Sequence, residues 1–115
     1  MKIDAVRKHA MALEAVTEEP HHQSSSFRVR GRIFVTIPPP DDVIHVFIGE
    51  EDRETALALY PGFLDKLFWG GKVVGLRVTL AAANPVAVKA LVNKAYETRV
   101  RKDGGPRAAR PDRGS

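Results

Sequence analysis

The sequence predicts an α+β fold, a two-layer sandwich in which helices cover one face of a mainly antiparallel sheet, in the order α-β-β-β-α-β-β-α. Three observations predict it. Apolar residues recur at spacings of three and four near both ends of the chain, as amphipathic helices require. Between those segments apolar and polar residues alternate with period two, as half-buried strands require. Gly and Pro breaks short enough for hairpins separate neighbouring strands, which makes the sheet antiparallel.

The first helix places Ile3, Val6, Ala10 and Leu13 on one stripe, with Asp4 at its start, and ends near Val16. "TEEPHHQSSS" then reads as a polar connection broken by Pro20. In "FRVRGRIFVTI", Phe27 and Val29 alternate with Arg28 and Arg30, Gly31 breaks the run, and Ile33, Val35 and Ile37 resume it. A three-residue loop at Arg30–Gly31–Arg32 would set Val29 opposite Ile33 and Phe27 opposite Val35. Three prolines keep residues 38–40 out of the ladder before the strand "VIHVFI".

Glu50, Glu51 and Asp52 open the second helix, where the helix dipole favours negative charge, and Pro61–Gly62 end it. "FLDKLFW" reads as a short apolar connector or helical turn with a short strand around Phe68–Trp69, and Gly70–Gly71 reverse the chain. "KVVGLRVTL" is a strand with Leu76 and Val78 on one face and Arg77 and Thr79 on the other. Asn84 followed by Pro85 starts the last helix, whose buried stripe is Val88, Leu91, Val92 and Ala95.

Composition narrows the function classes. The chain has 115 residues, no cysteine and a formal net charge of +4. Disulfides and cysteine-based metal sites are thereby excluded. The charge is unevenly placed: residues 1–98 carry 12 Lys/Arg against 12 Asp/Glu, so the excess lies in residues 99–115. One domain over residues 1–102 and a disordered basic tail over 103–115 are therefore expected. The charged N-terminal segment lacks a signal-peptide pattern and no run is apolar enough to span a bilayer, so a cytoplasmic protein without membrane contact is expected.

Four groups of residues could carry chemistry. His21, His22, His9 and His45 lack the spacings metal sites use, and no metal is predicted. Ser24–Ser26 lack a nucleophile elbow and read as the polar lead-in to a strand, although a pocket gathering His21, His22, Ser24 and Arg28 is conceivable for a small ligand. Arg28, Arg30 and Arg32 on a projecting hairpin could grip backbone phosphates, with Lys72 and Arg77 contributing from a second hairpin. Lys66, Phe68 and Trp69 form a basic and aromatic loop suited to stacking on bases or filling a partner's pocket. "GGK" at residues 70–72 leads into a strand, not a helix, so no phosphate loop exists and no cofactor is predicted. No catalytic residue is assigned, and no enzymatic activity is expected.

The segments "MALEAVTEEPHHQSSSFRVRGRIFVTI", "DVIHVFI" and "FWGGKVVGLRVTLAAANP", with the last helix, resemble the MmcQ/YjbR family of small, predominantly bacterial proteins over residues 3–100. The resemblance implies a secretion-chaperone-like fold, also similar to the double wing of the C-terminal domain of the phage transcription factor MotA. It implies DNA binding by analogy of fold, and it brings no catalytic motif. The expected function is thus a DNA-binding module whose basic hairpin wings contact phosphates. The rival expectations are a chaperone-like module with a protein partner and a small-ligand-binding protein, the chain being a monomer or a homodimer.

Overall fold

In the computed structural model, which describes residues 1–102, the chain runs α1 (Ile3–Met11), β1 (Val16–His21), β2 (Ser24–Val29), β3 (Arg32–Ile37) and β4 (Val43–Val46). It continues through α2 (Glu50–Leu59), β5 (Leu64–Trp69), β6 (Lys72–Thr79), a 3-10 turn at Leu80–Ala82 and α3 (Pro85–Lys102). The predicted basic tail, residues 103–115, lies outside the described residues. The strands form one sheet in the order β1-β2-β3-β4-β6-β5, and every neighbouring pair is antiparallel. The α+β class and antiparallel sheet are those the sequence predicts. Among the described residues no helix is long and apolar enough to cross a membrane.

The sheet has one strand more than predicted. "TEEPHH", read as a connection, is most of β1, paired from Val16 opposite Val29 to His21 opposite Ser24. The prediction failed because β1 is an edge strand, where Pro20 is tolerated, since its missing N–H need not serve the ladder. Beyond Val16, which joins the core, polar contacts hold it. Arg7 Nε of α1 donates to Glu18 Oε1 at 2.9 Å, and Ser25 Oγ donates to Glu18 Oε2 at 2.7 Å. β5 is likewise a full strand where a connector ending in a short strand was expected, because Leu64 and Leu67 are buried three residues apart across a bulged ladder.

Ladder partners share a sheet face, so the register sorts the two sides. Val16, Phe27, Val29, Val35, Ile37, Ile44, Val46, Leu76, Val78 and Leu64 lie on one face and join the helices in the main core. Val6 and Ala10 of α1, Ala56 of α2, and Ala87, Val88, Leu91, Val92 and Ala95 of α3 cover them. Asn84 starts α3 as predicted, its Oδ1 accepting from the N–H groups of Val86 at 2.9 Å and Ala87 at 3.3 Å. His9 of α1 and Asn93 of α3 meet at 2.8 Å and lock the two helices together.

The first predicted hairpin is tighter than expected. Arg30 and Gly31 alone form its turn, with φ of 54° and 79°, so Val29 faces Arg32 and not Ile33. Both central residues at positive φ match a turn whose twist suits the flanking strands. A bulge that inserts Phe34 then restores Phe27 opposite Val35, as predicted. Phe34 is fully buried and meets the Tyr96 ring of α3 edge-on at 5.7 Å. Gly70 and Gly71, at φ of 56° and 82°, make the equivalent turn between β5 and β6.

Candidate functional site between two hairpin prongs

The sheet ends unevenly. β4 stops at Val46, which pairs with Val35 of β3 and Leu76 of β6. Arg32–Phe34 on one side and Lys72–Gly75 on the other run past that point, each continuing into its turn. At about 3.3 Å per residue both hairpins project roughly 10 Å beyond β4. Their facing strands, β3 and β6, stand two strand spacings, roughly 10 Å, apart at the base. The result is a two-pronged end.

The first prong carries Arg30 and Arg32, and the second carries Phe68, Trp69 and Lys72. All five are exposed, Phe68 at 59% and Trp69 at 52%. Among the described residues no ion pair engages Arg30 or Lys72. Between the second prong and the end of α3 lies a cleft of about 340 Å³ whose lining includes Phe47, Gly49, Trp69, Val74, Thr98 and Arg99. A smaller hollow of about 160 Å³ shares Phe47, Trp69 and Arg99 and adds Ile33 and His21.

Phe47 forms the floor. It follows directly on β4, is buried yet stands apart from the main core, and meets the Trp69 ring at 5.1 Å. Arg99, near the end of α3, reaches in from the helix side. Its Nε donates to the Ile33 carbonyl at 2.7 Å and its guanidinium stands 5.9 Å from the Phe47 ring centre. Burial lowers the Arg99 pKa from its ordinary value, and the positive charge of Arg32 lowers it further. Among the described residues no carboxylate lines either hollow, and none lies within ion-pair distance of Arg99. No motif or periodicity marks Arg99, because only the length of α3 brings it to the prongs.

The other residues singled out in the sequence lie elsewhere or are already engaged. Arg28 shares its hairpin with Arg30 but braces β1 against β2. Its Nε donates to Ser26 Oγ at 3.0 Å, one Nη donates to the Pro20 carbonyl at 3.0 Å, and Glu19 lies 4.0 Å away. Lys66 pairs with Glu54 of α2 at 3.6 Å. The serines are similarly committed, Ser25 to Glu18 and Ser26 to the Glu19 carbonyl at 2.7 Å. The adjacent rings of His21 and His22 stand 4.6 Å apart at the end of β1, and His21 of the two lines the smaller hollow. Among the described residues no group of three or more acids and histidines could hold a metal.

Arg77 belongs to a different feature. The register places Glu19, Ser26, Thr36, His45, Arg77 and Asp65 side by side across all six strands, on the face away from the helices. His45 Nδ1 and Thr36 Oγ1 are 3.2 Å apart within this row. Burial lowers the His45 pKa from 6.5, and Arg77 lowers it further, so the folded chain favours the neutral ring. The unfolded chain then binds more protons than the folded one below that value. Stability is accordingly full above about pH 6.5 and declines as pH falls through the window down to the folded pKa. Urea midpoints across pH 5–7 are expected to show this slope in the native chain and to lose most of it in His45→Gln.

No protein-family model matches the sequence, and no curated protein matches it. Among solved structures the chain is similar to the crystal structure of Deinococcus radiodurans protein DR2400, a DUF419 domain. The TM-score is 0.76 at 17% identity, over 89% of this chain and 80% of that one. The likeness is one of fold.

Proposed function

We propose that the protein is a nucleic-acid-binding module without catalytic activity that engages a phosphate backbone with its two-pronged end. The observation that carries this reading is the shared end of the two hairpins. Arg30 and Arg32 at the turn of one prong and Lys72 at the turn of the other stand exposed at the same end of the sheet. Guanidinium and ammonium groups on separate prongs can contact phosphates on either side of the gap, and such contacts position a protein on nucleic acid. The sequence resemblance to the MmcQ/YjbR family, with the double-wing fold that it implies, supports the same reading. Arg28 and Arg77 are not assigned to this contact surface. The first is held by its own hairpin, and the second sits in the polar row at the base of the prongs, away from their tips.

Salt titration tests the reading. Each phosphate contacted contributes about −0.9 on duplex, or about −0.7 on single strand, to the slope of log K against log salt. The Arg30→Ala/Lys72→Ala double variant is expected to bind at least about tenfold more weakly and to reduce the slope by roughly 1.5 to 2. Arg77→Ala should leave both unchanged. A flat salt dependence, or an unaltered slope in the double variant, would sink the proposal. Capture of a protein through Phe68 and Trp69, with no nucleic-acid affinity, would replace it by the chaperone-like reading.

A further inference from the structure

We infer that the cleft between the second prong and the end of α3 receives one unstacked nucleobase, so that the module selects single-stranded over duplex nucleic acid. This rests on the phosphate-contact reading above and specifies its substrate. The volume of about 340 Å³ lies at the small end of the roughly 300–1,000 Å³ range of small-molecule sites, which suits one planar ring system and its sugar. The walls suit such a ring. Phe47 supplies a buried aromatic floor, while Trp69 rests against it at 5.1 Å and remains half exposed toward solvent. Aromatic side chains set along a basic groove are the means by which single strands are held without sequence preference.

Arg99 supplies the second argument. A partly buried guanidinium beside another arginine carries an electrostatic cost, and among the described residues no carboxylate offsets it. An incoming phosphate would. Arg99 is also placed to receive one, because its Nε is fixed on the Ile33 carbonyl and its guanidinium plane lies near the aromatic floor. A base on Trp69, its phosphate toward Arg99, and neighbouring phosphates at Arg30 and Lys72 form one continuous path. Duplex bases present no free ring face, and extruding one costs unpairing and unstacking energy. The cleft therefore discriminates by strandedness.

Trp69 is the sole tryptophan, so its fluorescence reports on the cleft directly. Titrations would use decathymidylate, the matching dA·dT duplex and an abasic strand of equal length. The single strand is expected to quench Trp69 and to bind at least about tenfold more tightly than the duplex, a ratio set by the stacking of one base. The abasic strand should bind more weakly than decathymidylate and leave Trp69 unquenched. Arg99→Gln, checked for unchanged melting, should reduce affinity for labelled decathymidylate by about tenfold in anisotropy. Equal or tighter duplex binding, or single-strand binding without quenching, overturns base capture while leaving the phosphate-contact reading in place. No binding to any of the three probes overturns both.

Discussion

Gly75→Ala is expected to destabilise the protein by about 3 kcal/mol or more, enough to leave much of it unfolded at moderate temperature. Gly75 lies in β6 opposite Leu67, where the strand passes close to the end of β4. A Cβ there would overlap the Val46 carbonyl oxygen and stand 3.0 Å from the Val46 carbonyl carbon and 3.2 Å from Phe47 Cα. All three atoms are backbone, so no rotamer change relieves the overlap, and β4 and β6 would have to separate. The same close approach sets Phe47 beneath Trp69, which links this one missing side chain to the floor of the cleft. Urea denaturation measures the effect. A midpoint within experimental error of the native chain would show that the strands are not in this contact.

Phe27→Ala is the second large effect, a loss of about 3–5 kcal/mol. Phe27 is fully buried in the middle of β2, opposite Val35 on one side and Glu18 on the other. Truncation removes a large apolar surface and leaves a cavity that the ladders on both sides cannot close. Phe27→Leu keeps most of the volume and should cost far less, about 1–1.5 kcal/mol. Comparable losses in the two variants would mean that the ring is not packed as described. Because Phe27 anchors the first prong, binding by Phe27→Leu also separates the support of the prong from its charge. Its salt slope should match that of the native chain.

The residues that sequence reading identified best are those whose local chemistry decides their structure. Gly70–Gly71 and Asn84–Pro85 behave as predicted because turn and cap preferences are set within a few residues. The alternation of Phe27, Val29, Val35 and Ile37 located the buried face of the first hairpin, although the bulge at Phe34 was invisible. A bulge depends on how two strands fit, and the pattern of one strand does not encode it. β1 was missed because its polar side chains are held by Arg7 and Ser25, partners distant in sequence, so it lacks the apolar alternation by which strands are recognised.

The candidate site was legible in part for the same reason. Basic and aromatic residues beside hairpin turns, namely Arg30, Arg32, Lys72 and Trp69, could be read directly from sequence. Their convergence at one end of the sheet could not, because it follows from β4 being shorter than its neighbours and lying between them. Arg28 looked equivalent to Arg30 by spacing alone, yet it is a brace, since alternation turns it toward Ser26 and the Pro20 carbonyl. Arg99 and Phe47 complete the cleft from opposite ends of the topology, and only tertiary structure joins them.

The central claim is that the two prongs form the contact surface for nucleic acid, and amide chemical-shift mapping with a short oligonucleotide tests it most directly. The predicted perturbations cluster at residues 29–33, 47–49 and 68–74, fade as salt is raised, and leave the apolar hollow between α2 and α3 around Leu59 and Leu91 unchanged. Perturbations centred on that hollow or on the His45–Arg77 row, with the prongs silent, would contradict the account.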